Sequence, residues 1–152
     1  MAIKRGTMEA PVIYLIGSLR NPEVPLIGDS LREAGFETFD EWHSAGEIAD
    51  DCFRDYCNGR GLTYREALQT YAAKHIFDFD KTHLTRASIV VLVMPGGKSA
   101  HLELGWALGQ GKAGYVLFDK VPDRYDQMYQ FANDMFFSKE EMVNELKLKH
   151  LS

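Results

Sequence analysis

The chain has only two cysteines, Cys52 and Cys57, five positions apart with no second pair to complete a metal set. That excludes a disulfide framework and a cysteine zinc site, and it predicts reduced thiols in a cytoplasmic protein. Its five histidines, His43, His75, His83, His101 and His150, are scattered and never fall in the HExxH spacing, so no metal and no cofactor is expected. No apolar run approaches the ~20 residues of a membrane span, and the N-terminal MAIKRGTMEAP lacks the apolar stretch of a signal peptide. No membrane partner is therefore expected. An excess of positive charge is also missing. The formal net charge of -5 argues against a polymeric nucleic-acid partner, although a few local cations can still hold a small anion.

What is present is an ordinary globular composition, 45% hydrophobic and 26% charged over 152 residues. This predicts one domain over 1–152, with residues 1–10 as a loose leader. Val12 to Ile16 and Ile89 to Val93 are apolar throughout, as strands buried on both faces are. Phe36 to Phe39 and Tyr115 to Phe118 read as further strands. Ile27, Leu31 and Ala34 give the segment between the first two strands an apolar face at helical spacing, stopped by Gly35. Glu47 to Gly61 reads as a polar helical segment ending in a turn. Leu68, Tyr71, Ala72, His75, Ile76 and Phe79 predict one long amphipathic helix from about Thr63 to Arg86. Ala100, Leu104, Ala107, Leu108 and Gly111 form the buried side of the next helix. Arg124 to Ala132 and Lys139 to Leu148 read as closing helices around a short apolar stretch, Met135 to Phe137. This alternation predicts an α/β fold, Rossmann- or flavodoxin-like, with a parallel sheet of about five strands and helices on both faces.

Ligands of such sheets bind outside the carboxyl ends of the strands, and four candidate elements fall there. The run Met94-Pro95-Gly96-Gly97-Lys98-Ser99-Ala100-His101-Leu102-Glu103 follows a buried strand, breaks into a glycine turn and opens a helix. Glu103 stands about a turn inside it, where helix-end potential would keep it ionised for work as a nucleophile or electrostatic stabiliser. The alternative is a glutamate that merely favours the helix dipole. The turn Gly17-Ser18-Leu19-Arg20 offers backbone N–H groups, a hydroxyl and a guanidinium to an oxyanion, or is an ordinary loop with a surface arginine. Asp40 and Trp42 follow the second strand, where Trp42 can stack on a planar base or pack in the core. Asp80 lies on the margin of the long helix's stripe, seven residues before Ala87; the alternative is a solvated aspartate.

Taken in order, Ile13-Tyr14-Leu15-Ile16-Gly17, Asp80 and Glu103-Leu104-Gly105 resemble the nucleoside 2-deoxyribosyltransferase-like superfamily, over nearly the whole chain. The resemblance implies cleavage or transfer at the N-glycosidic bond of a (deoxy)nucleoside or its 5'-monophosphate, a step in nucleotide salvage. Glu103 would be the nucleophile, Asp80 the aspartate that assists the departing base, and Tyr14 the first-strand tyrosine. Asn133, in Asn133-Asp134-Met135, is similar to the Asn-x-Met segment that a neighbouring subunit supplies, which implies a homodimer or larger even oligomer. Gly17-Ser18-Leu19-Arg20 resembles the Gly-Ser-Ile-Arg turn of nucleoside 5'-monophosphate N-glycosidases, where serine and arginine hold the phosphate.

The chain departs from the pattern in three places. Gly97 stands where the transferases have an acidic residue. Ser99 lies closer to the nucleophile than the glycosidases' phosphate-binding serine, and the 47–70 segment exceeds either branch. A second resemblance links Pro95-Gly96-Gly97 and Glu103 to the PGGxGTxxE signature of cytokinin-type phosphoribohydrolases, with Ser99 and Ala100 in place of its Gly and Thr. Every one of these families acts on the same bond. Its cleavage passes through an oxocarbenium-like state that a carboxylate stabilises while a second acid protonates the base, as in retaining glycosidases. Glu103 and Asp80 are the best pair here. The rival readings are an NAD-type glycohydrolase and a non-catalytic nucleotide-binding sensor.

Overall fold

The structure, a computed structural model, describes residues 10–151. The expected leader therefore lies outside the described residues, apart from the exposed Ala10. Five strands form one sheet: β1 (Val12–Ile16), β2 (Glu37–Phe39), β3 (Ile89–Val93), β4 (Ala113–Leu117) and β5 (Asp134–Phe136). All pairings are parallel and the order is β2-β1-β3-β4-β5. The expected α/β sheet is thus present, in the flavodoxin-like order. The topology reverses between β1 and β3, the crevice where ligands of this class of sheet sit.

Helices α1 (Glu23–Ala34) and α6 (Lys139–His150) close one face of the sheet. α4 (Tyr71–Arg86) and α5 (Lys98–Gly109) close the other, and α2 (Ala49–Gly59) and α3 (Tyr64–Ala67) lie in the connection after β2. The strand pleat divides the core in two. Ile13, Leu15, Val91, Val93 and Leu117 point toward Val24, Ile27, Leu31, Met142 and Leu146. Tyr14, Ile16, Val90, Leu92 and Val116 point toward Leu84, Ala100, Leu104 and Ala107. β3 is buried along its whole length, which explains its unbroken apolar run, as neither face meets water.

Three expectations are corrected. The single helix over 63–86 is two helices, because Thr63 caps α3 in a capping box with Glu66, and Thr70 caps α4 by accepting from the Ala73 amide. The stripe read along it does not form core: Tyr71 is 93% exposed, and Leu68, Ile76 and Phe79 are also exposed. α4 instead seats Leu84 in the core. The closing helix expected over 124–132 is a 3-10 turn, Gln127–Phe131, and the apolar stretch after it is the fifth strand. Periodicity cannot separate a short strand from a short helix once residues run apolar without a clear period.

Among the described residues no helix is long and apolar enough to cross a membrane. Nor does any group of three or more His, Cys, Asp or Glu among them lie placed to hold a metal ion.

Candidate functional site

The centre of the site is built on β1 and α5. Tyr14 is buried in the middle of β1, on the α4–α5 side of the sheet. Its hydroxyl crosses to α5 and donates to Glu103 Oε2 at 2.8 Å. α5 can lie this close to the sheet because Ala100, Leu104 and Ala107 form its buried side. Asp80, half-buried on α4, completes the group: its charge acts on both Tyr14 and Glu103. The structure therefore brings together the three residues singled out for chemistry, drawn from three separate elements.

Burial raises the pKa of Glu103 to about 7; the Tyr14 hydrogen bond pulls it down and the Asp80 charge pushes it up. This corrects the expectation that helix-end potential keeps the carboxylate fully ionised. Glu103 is the sixth residue of α5, beyond the turn in which terminal N–H groups act strongly, and desolvation outweighs what remains. Burial raises Asp80 as well, opposed by the nearby His83. The Tyr14 hydroxyl is pushed upward first by burial and then by the charges of Glu103 and Asp80, so it stays protonated and serves as a donor. The result is a desolvated carboxylate with one fixed donor and a second, half-buried acid beside it. Such a group can attack an electron-poor carbon or stabilise a cationic one.

His83 and Phe39 support the group from below. Their rings stack with centroids 4.1 Å apart, and Phe39 lies 5.2 Å from the Tyr14 ring. His83 Nδ1 is buried with no hydrogen-bond partner. No sequence signal marked His83, because a histidine one turn after Asp80 looks like any helix residue until the fold stacks it on β2.

The loops after β1 and β3 meet to form a second part of the site. A cavity of about 300 Å³ lies between them, lined by Ser18, Arg20, Asn21, Pro22, Pro95, Gly96 and Gly97. Asn21, missed in the sequence, ties the two loops together. Its Nδ2 donates to the Met94 carbonyl at 3.4 Å while its Oδ1 accepts from the Glu23 amide at 3.0 Å. Ser18 Oγ accepts from the Arg20 amide. Gly17 lies against Val24 and the Val93 carbonyl, and a side chain on Gly96 would press on Leu92 and Ala100, so the turns are small where they pass the core. Ser99 is exposed in the first turn of α5 and Gly97 stands at its start.

Three of the expected binding residues are occupied elsewhere. The Asp40 carboxylate is buried and ion-paired with Arg32 Nη2, directed toward α1. Trp42 donates through Nε1 to the Leu15 carbonyl at 2.7 Å and packs against both halves of the core, which favours the packing alternative over base stacking. Asn133 Oδ1 accepts from the Gly114 amide at 2.8 Å. That places it by β4 and β5, two strands along the sheet from Tyr14 and apart from the Tyr14–Glu103 pair. It lines a broader groove of about 710 Å³ with His101, Leu104, Leu108, Tyr129 and Phe131.

No family model matches the sequence, and no curated protein matches it. The fold does have a solved counterpart. A 2-deoxyribosyltransferase from the psychrotolerant bacterium Bacillus psychrosaccharolyticus, a biocatalyst for the synthesis of antiviral and antitumoral nucleosides, superposes with a TM-score of 0.60 at 18% identity. The match covers 88% of this chain and 90% of that one. The chain therefore has the nucleoside 2-deoxyribosyltransferase-like fold.

Proposed function

We propose that this protein cleaves or transfers the N-glycosidic bond of a nucleoside or nucleoside 5'-monophosphate, with Glu103 as the nucleophile. The observation that carries the reading is the Tyr14–Glu103 hydrogen bond at 2.8 Å with Asp80 close by. In the proposed reaction the Glu103 carboxylate attacks the anomeric carbon as the C–N bond to the base breaks, giving a glycosyl ester. Asp80, half-buried on α4, assists the departing base as it takes up a proton. Water or a second base then attacks the same carbon, gives up its proton to Asp80 or solvent as the new bond forms, and restores the Glu103 carboxylate. Tyr14 holds the carboxylate oxygen in line, which limits the reorganisation needed at the moment of attack.

The cavity between the two loops favours a phosphorylated substrate. Ser18 and Arg20 line it beside the Gly96–Gly97 turn, and a guanidinium with nearby hydroxyl and amide donors binds a dianion by charge-assisted hydrogen bonds. Incubation with a panel of nucleosides and monophosphates, with and without a free acceptor base, tests the whole reading. Released base indicates hydrolysis and an exchanged product indicates transfer. Monophosphates are expected to be the better substrates, and Arg20→Ala to erase about 1.5–3 kcal/mol of that preference, the contribution of a hydrogen bond to a charged group. No turnover of any member of the panel overturns the assignment. Equal use of nucleosides and monophosphates, unaltered by Arg20→Ala, removes the phosphate from it.

The same reading includes a homodimer or larger even oligomer. Supporting it, Tyr71, Ile76 and Phe77 of α4 are exposed, and Phe131, beside Asn133, is 76% exposed; these are large apolar groups left without partners in a single chain. Sedimentation is expected to give an even-numbered species, and activity is expected to fall on dilution below its dissociation constant. A monomer fully active at high dilution contradicts this.

A further inference from the structure

Arg20 does not stand free in its loop. Its Nη2 lies 3.3 Å from Asp51 Oδ2, and the other oxygen of that carboxylate, Oδ1, lies 3.5 Å from Arg54 Nη1. Asp51 and Arg54 both belong to α2, in the connection after β2. α2 is held in place by the buried Cys57. Asp51 thus brings two oxygen acceptors between two guanidinium groups at the rim of the cavity lined by Ser18, Arg20, Gly96 and Gly97. A phosphate monoester would offer the same groups the same kind of contact, with more charge and one more acceptor oxygen. Arg54 also contacts Asp55, through Nη2 at 3.0 Å and Nε at 3.1 Å, so it keeps one carboxylate partner when Asp51 moves away.

We propose that Asp51 competes with phosphate for Arg20, occupying it until the substrate's phosphate displaces the carboxylate, and that Arg54 is thereby left to face the same anion. The proposal rests on the phosphate reading above. The exchange is feasible because the pair is weak. The Arg20 and Asp51 side chains are 65% and 43% exposed, and an exposed pair of this kind contributes little and is screened by salt. A dianion with hydroxyl and amide donors around it outbids a single carboxylate for the same guanidinium. Ligands without phosphate leave the Asp51–Arg20 pair intact and gain nothing from Arg20. The competition taxes every phosphate equally, whether borne by a nucleotide or free in solution, so it also discourages occupation of the cradle by inorganic phosphate.

The test compares the full-length parent, Asp51→Asn and Arg20→Ala, titrated with inorganic phosphate by calorimetry and then assayed for KM on a monophosphate and its nucleoside. Asparagine keeps the shape of Asp51 and removes its charge. Asp51→Asn is expected to bind phosphate about two- to fivefold more tightly at low ionic strength, an advantage that shrinks as salt is raised. The KM for the monophosphate is expected to fall with it, and the KM for the nucleoside to stay unchanged. Arg20→Ala is expected to weaken phosphate binding. If Arg20→Ala weakens phosphate while Asp51→Asn leaves it unchanged or weakens it too, the role of Asp51 is overturned and the phosphate cradle stands. If Arg20→Ala has no effect on phosphate, the cradle itself is wrong, and the proposal falls with it.

Discussion

Glu103→Gln is expected to lose several orders of magnitude in turnover and, at pH 8, to fold more stably than the parent chain. The first effect follows from removing the proposed nucleophile, since an amide cannot form the glycosyl ester. The second follows from burial. Glu103 has a pKa of about 7 in the folded protein against 4.5 for a free side chain. Below pH 4.5 both states hold the proton and the group is neutral in its effect. Between 4.5 and 7 the unfolded chain has released its proton while the folded one keeps it, so stability falls as pH rises through this window and levels off above it. The full difference corresponds to about 3–4 kcal/mol at most. Glutamine carries no charge at any of these pH values and its carbonyl still accepts from the Tyr14 hydroxyl. Its stabilisation over the parent should therefore grow between pH 4.5 and 7 and be absent at pH 4, as thermal melts across that range will show. In the parent, kcat/KM should rise with pH through about 7, because the attacking form is the carboxylate. A variant that keeps a tenth of the parent's turnover contradicts the role of nucleophile. A variant less stable than the parent at pH 8 contradicts the burial argument.

Gly28→Ala is expected to destabilise the fold by about 2–4 kcal/mol, lowering Tm by roughly 5–12 °C for a chain of this size. Gly28 is buried in α1, and a Cβ there would collide with the Asp40 carboxylate and crowd Arg32 Nη1. In an ordinary helix this exchange stabilises by up to about 1 kcal/mol, so the sign of the effect is diagnostic. Asp40 has nowhere to retreat: it is buried, ion-paired with Arg32, and Arg32 is further held by the Thr38 carbonyl at 3.2 Å and by Asp29 at 2.9 Å. Displacing it leaves a buried carboxylate without its partner. The double variant Gly28→Ala with Asp40→Ala is expected to be less destabilised than the sum of the singles, the mark of a direct clash. Kinetics at low temperature should be unaffected by Gly28→Ala, because Asp40 faces α1 and not the Tyr14–Glu103 group. Unchanged stability would mean that the α1–Asp40 contact is not as close as described.

The two positions differ in how visible they were in the sequence. Glu103 announced itself through its setting, an apolar strand, a glycine turn and a helix opening, all local features. Asp40 was read from the same kind of setting, the carboxyl end of a strand, and the structure turns it the other way. Which side of a strand end a side chain takes depends on the partner that α1 presents, here Arg32 eight residues earlier. Trp42 shows the same ambiguity, and its hydrogen bond to the Leu15 carbonyl ties it to the core. The pattern along α4 misled for a different reason. Apolar residues at helical spacing mark a face that seeks a partner, but they do not say whether that partner is the chain's own core.

By itself the sequence determined the layered architecture, because continuous apolar runs and helical spacing are short-range consequences of burial, and each needs only its own segment to be read. It also determined which residue types stand at the strand ends, and so the set of groups from which a site could be built. Only the tertiary structure decided which members of that set meet. Tyr14 and Glu103 are 89 residues apart and touch because α5 lies across the sheet on small residues. Arg20 and Asp51 are 31 apart and touch because α2 folds back toward the first loop. The pKa of Glu103 likewise belongs to no local pattern. Desolvation is set by what surrounds the carboxylate from β1 and α4 as well as from its own helix, and that enclosure exists only once the chain has folded.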